Sequence, residues 1–158
     1  MSWNYGTDLV VVPNFVAHDA AALDISSVLR PLARAPRNAP PAFDLVTWDG
    51  RQNLAQALIL RLLTPRGALA PLGHPDYGSR LWELIGRRKT EELRNLCRAF
   101  VLETVAQEPR VEPKAVQLDF DPAAEQQDNF VFTLAVTPST TAITPGGDPV
   151  AVSLQVGL

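Results

Sequence analysis

Three stretches near the C-terminal end of the sequence alternate apolar and polar positions. Val116, Leu118 and Phe120 alternate with Gln117 and Asp119. Phe130, Phe132, Leu134 and Val136 alternate with Val131, Thr133 and Ala135, and Val150, Val152, Leu154 and Val156 with Ala151, Ser153 and Gln155. A period of two puts the larger apolar set on one face of an extended strand. The intervening stretches, 121–128 and 138–149, are polar and turn-rich, with Pro145-Gly146-Gly147-Asp148 at the second tip. The pattern predicts an antiparallel meander with one face packed on a core. Its third strand, last in the sequence, is expected at a sheet edge that can pair with another chain.

A longer period governs the middle. Leu54, Leu58 and Leu62 recur at fours, with Ala55 and Ile59 beside them. This spacing predicts a helix over 51–63, ended by Thr64-Pro65-Arg66-Gly67. Ser79 is the expected N-cap of a short helix through Ile85. Leu93, Leu96, Cys97, Phe100, Val101 and Thr104 share one helical face and predict a second long helix over 90–106, stopped at Glu108-Pro109-Arg110-Val111. Upstream, Phe43–Trp48 alternates as a strand and Asp49-Gly50 is expected to turn the chain. Leu9–Val12 is a short strand candidate, Asp19 a candidate cap for a short helix, and Pro31, Pro36, Pro40 and Pro41 mark an extended linker. The expected class is α+β. It comprises a small antiparallel sheet of C-terminal strands packed against two or three helices, with a Pro-rich N-terminal extension (1–42) before the main domain (43–158).

Composition narrows the chemistry. The 158 residues are 46% hydrophobic and 20% charged, as expected of one globular domain. The balance of 14 Lys+Arg against 17 Asp+Glu, a net −3, argues against a generally basic nucleic-acid binder. The single cysteine, Cys97, excludes an internal disulfide or a thiolate metal cluster, and two histidines, His18 and His74, leave little for a metal site. The N-terminus lacks the basic and apolar pattern of a secretory signal, and the longest apolar stretch, near 54–63, is too short to span a bilayer. The expectation is a cytoplasmic protein with no cofactor and no membrane insertion.

Few residues suggest catalysis. Asp76 and Glu83 flank a loop-to-helix transition and could in principle split a glycosidic bond. The plainer reading puts Asp76 in a turn and Glu83 on a solvated helix face. Cys97 lies on an apolar helix face, where a thiol behaves as a small hydrophobe. Arg87, Arg88, Lys89, Arg94 and Arg98 form a basic group, offset by Glu83, Glu91 and Glu92; it reads as a solvated face or a docking surface for an acidic partner. Glu108-Pro109-Arg110 closes the long helix and opens the sheet. Arginine there offers a planar fork suited to a carboxylate, although Arg110 could equally cap the helix or pair with Glu108.

Taken together, Asn53–Gly67, then His74-Pro75-Asp76-Tyr77-Gly78-Ser79-Arg80-Leu81, then Glu108-Pro109-Arg110-Val111 resemble the gene-twenty-five-like wedge family of contractile phage tails, which is shared with type VI secretion and extracellular contractile injection systems. The resemblance covers roughly 43–158 and is carried by three motifs in order; residues 1–42 have no counterpart in the family core. It implies a structural role rather than an enzyme, in a large multi-subunit baseplate. The implied partners are the baseplate wedge proteins and sheath subunits, with the inner tube or hub as a further neighbour. Carried over, Glu108 and Arg110 would contact partner helices, with Pro109 fixing their direction. Val150, Val152, Leu154 and Val156 would set the register of a strand shared with the sheath. The chain would assemble in the cytoplasm and belong to a tail-like particle. The family also carries a lysozyme label, so a peptidoglycan hydrolase using Asp76 or Glu83 is the alternative. A stand-alone regulator that binds one partner through the same edge is a third.

Overall fold

The computed structural model describes residues 7–11, 29–31, 43–139 and 149–158. The fold is α+β, as the patterning predicts. Two helices, α1 (Gly50–Leu63) and α2 (Glu91–Ala106), pack on one face of a three-stranded antiparallel sheet. Its strands are β5 (Val111–Phe120), β6 (Asn129–Pro138) and β7 (Val150–Gly157), in the order β5-β6-β7. Two two-stranded pairs precede them: β1 (Thr7–Leu9) with β4 (Thr47–Asp49), and β2 (Leu29–Pro31) with β3 (Phe43–Leu45).

The core is where the two periods meet. Leu54, Leu58 and Leu62 of α1 and Cys97, Val101 and Val105 of α2 are buried against Phe130, Phe132, Leu134 and Val136 of β6. Each such side chain contributes roughly 1.5–3 kcal/mol relative to exposure. Phe120 meets Phe130 and Phe132 edge-on, at ring separations of 5.8 and 5.7 Å. Helix α2 starts after Thr90, whose hydroxyl accepts from the Leu93 N–H at 3.1 Å.

Several expectations are corrected. The strand expected at Leu9–Val12 is observed at Thr7–Leu9, with Val12 outside the described residues; Val10 buries its side chain and continues the β1–β4 register by donating to the Val46 carbonyl. The buried Gln56 amide then accepts from the Val11 N–H and donates to the Leu9 carbonyl, fixing β1 on α1. The single strand expected over 43–48 is two, since the chain changes partners at Val46, from β2 to β1. Asp49-Gly50 makes no separate turn; Gly50 opens α1 with a positive φ of 54°. Ser79 precedes a four-residue 3₁₀ helix (Leu81–Leu84) rather than a helix through Ile85, which is extended. Strand β5 begins at Val111, five residues earlier than the alternation suggests, because Val111 pairs with Pro138 across a register shift. The helix expected after Asp19, Pro36, Pro40 and Pro41, and the Pro145–Asp148 tip lie outside the described residues.

Candidate functional site

Three separate sequence motifs meet at one end of the helices. The exit of α1 runs beside the loop before the 3₁₀ helix: Arg66 N–H donates to the Ser79 carbonyl, and Ser79 N–H to the Thr64 carbonyl, both at 2.8 Å. The Ser79 hydroxyl, itself buried, donates to the Leu62 carbonyl. Gly78 makes this approach possible. Its φ is +107°, and a Cβ there would lie 2.5 Å from the Thr64 carbonyl oxygen.

The third motif closes the junction. Glu108 is buried, and its carboxylate accepts from the Arg110 Nε at 2.6 Å and lies 3.6 Å from the Arg61 guanidinium. Burial pushes the Glu108 carboxyl up, but the Arg110 hydrogen bond and the Arg110 and Arg61 charges outweigh it, so it stays below the usual carboxylate range. Arg61 also stacks over the Tyr77 ring, 4.6 Å from its centre, and burial pushes the Tyr77 phenol up. Among the described residues the buried Arg61 Nε has no hydrogen-bond partner. A cleft of about 660 Å³ opens here, lined by Arg61, Arg66, His74, Asp76, Tyr77 and Gln107. Of the predicted motif, Glu108 faces inward, Pro109 is exposed and Arg110 is half-buried.

The two carboxylates considered for catalysis are not brought together by any shared partner. Asp76 pairs with Arg66 at 3.3 Å on the cleft rim. Glu83 is gripped by two nitrogens of Arg80 on the 3₁₀ helix, and that hydrogen bond holds its carboxyl below the usual range. A proton donor needs the opposite shift. Cys97 is buried in the core, which pushes its thiol up to about 12, so it is no nucleophile. The basic group is not simply a solvated face. Arg94 and Lys89 converge on the Glu125 carboxylate, Arg94 also lies over the Phe120 and Phe130 rings, and Arg98 lies over Phe120.

The remaining predicted residues lie on β7. Val150 and Val152 are buried, Leu154 and Val156 partly so, and all four face the helices. The register and the Leu158 N–H to Asp128 carbonyl bond set the phase of the ladder. Residues 150, 152, 154 and 156 therefore bond to β6, while Ala151, Ser153, Gln155 and Gly157 direct their N–H and C=O groups to the outer edge. Among the described residues no strand pairs with that edge.

Sequence reasoning missed Arg61, Tyr77, Gln56 and Glu125. Each acts through a partner 16 to 47 residues away, namely Arg61–Tyr77, Arg94–Glu125 and Gln56–Leu9. The only sequence signal was a polar residue on an apolar helix face, as at Gln56 and Arg61.

No family model matches the sequence, and no curated protein does. A solved structure from Geobacter sulfurreducens, of a protein named as a candidate tail lysozyme, shares the fold at a TM-score of 0.53 and 17% identity. The likeness covers 68% of this chain and 89% of that one. At that identity the likeness is one of fold.

Proposed function

We propose that this chain is a structural component of a phage-tail-like contractile machine, seated in its baseplate and linking the wedge proteins to the first sheath ring. The observation that carries the reading is the outer edge of β7, which offers main-chain donors and acceptors and holds no charged residue or proline over Val150–Gly157. Two further features support it. The fold is shared with a protein named for a tail, and the three motifs of the wedge-family resemblance form one junction. In this reading a sheath strand extends the sheet at β7, with Val150, Val152, Leu154 and Val156 seating β7 on the helices so that its register is set. Glu108 aims Arg110 toward the wedge helices, and Pro109 fixes the chain's direction between them. Within residues 1–42, the segments Thr7–Leu9 and Leu29–Pro31 pair with β4 and β3 and so join the body.

The test is electron microscopy of sheathed particles from cells in which the chain carries Ser153→Lys. Ser153 is exposed, so a lysine there leaves the fold intact, within about ±0.5 kcal/mol, while guarding the edge. Loss of sheathed particles at equal protein level is expected. Particles at the wild-type count would overturn the role of the edge, and a wild-type cell that makes no tail-like particles would overturn the baseplate reading.

The name of the Geobacter protein raises a second reading, a cell-wall hydrolase. Arg80 holds Glu83 ionised, which weighs against it. Clearing of a cell-wall suspension that disappears in Glu83→Gln would reverse that judgement.

A further inference from the structure

Beside the outer edge of β7, unpaired among the described residues, lies a second hollow of about 330 Å³. One wall is the end of the strand, Gln155 to Leu158; the other is the end of α1 and the 3₁₀ helix, with Leu63, Leu81, Trp82 and Ile85. Gln155 and Val156 point to opposite faces of the sheet, yet both line this hollow. It is therefore a slot along the end of the strand, between it and the ends of α1 and the 3₁₀ helix. Its lining carries no charged side chain, in contrast to the cleft at Arg61 and Arg66. Trp82 and Ile85 are 53% and 67% exposed in its wall, a large apolar surface.

The geometry points to one kind of occupant: an extended, uncharged segment of another protein, with a bulky aliphatic side chain that seats between Val156, Leu63, Trp82 and Ile85. The inference rests on the open-edge reading above and adds what the edge alone does not specify. Main-chain bonds to Gln155 and Gly157 make the segment extended, and the uncharged wall selects its side chain. The guest chain lies in the slot as a fourth strand of the β5-β6-β7 sheet whose end is anchored, so the apolar residue fixes its register where alternating backbone bonds would accept several.

The probe is a synthetic octapeptide of alternating threonine and valine ending in leucine, with a two-lysine tail beyond the leucine for solubility, titrated into the full chain by fluorescence anisotropy. Saturable binding is expected. It should weaken about tenfold in Ile85→Asp, which alters only the exposed wall, and about tenfold in Gln155→Pro, which removes one outward N–H and no bond to β6. Replacing the peptide's leucine by lysine should match the Ile85→Asp loss. Binding lost in Gln155→Pro but unchanged in Ile85→Asp would overturn the slot and leave the edge reading standing. No binding to any variant would overturn both. A concentration-dependent dimer of the chain alone, abolished by Ile85→Asp, would show that a second copy fills the slot and would overturn the inference.

Discussion

The two outer strands of one sheet are built differently. Strand β5 carries Pro113, a register shift between Val111 and Val116, and charged residues at Glu112, Lys114 and Asp119. Its edge is also occupied: the Arg98 guanidinium of α2 donates to the Leu118 carbonyl. Strand β7 has none of these devices, and its outward groups at Ala151, Ser153, Gln155 and Gly157 are unpaired among the described residues. Both edges share the same centre, β6, and the same core, so packing cannot explain the contrast. Bends, prolines and charges are how proteins keep sheet edges from pairing. The association proposed above is on the side that lacks these guards.

Changes that reach both edges should have the largest effect. Phe132 is fully buried on β6, so Phe132→Ala is expected to cost about 3–5 kcal/mol, read by urea denaturation, and to erase the contrast with the fold. The guarded side depends next on Glu125. Burial pushes its carboxyl up, but Arg94 and Lys89 more than reverse this, leaving it at about 2 instead of 4.5. A folded value below the unfolded one means the contribution is complete above about pH 4.5 and is lost as pH falls toward about 2. Glu125→Gln should therefore lower stability by about 2 kcal/mol at pH 7 and flatten the fall between those pH values, measured as denaturation midpoints across the range. The smallest change acts on the β5 edge alone. Arg98→Ala should cost about 1 kcal/mol and leave binding at β7 unaltered; a loss of β7 binding would show that the edges are coupled.

The sequence made the periodic parts of this fold legible. The alternations at Val116–Phe120, Phe130–Val136 and Val150–Val156 are the three strands, and the leucine spacing at Leu54–Leu62 is α1, because burial of one face imposes a period that local reading can detect. Partner changes were not legible: nothing local at Val46 says that the chain leaves β2 for β1 there. The junction was visible only as three separate motifs, since Arg61, Tyr77 and Glu108 meet through the tertiary fold. The basic group was read in part: Arg87 and Arg88 are exposed as expected, but the shared acceptor of Lys89 and Arg94, Glu125, stands in a loop that looks merely polar. The contrast between edges was not read from the sequence: Pro113 lies before the expected start of the first strand at Val116, and the Arg98 bond and the slot beside Gln155 needed the structure.

The central claim, that β7 is the open edge, is tested most directly by amide hydrogen exchange of the full chain, resolved residue by residue along β7. Alternation is predicted: Val152, Leu154 and Val156 protected by β6, and Ala151, Ser153 and Gln155 exchanging at least about tenfold faster. Equal protection along the whole strand would mean that the outer edge is already paired, and the account built on it would be wrong.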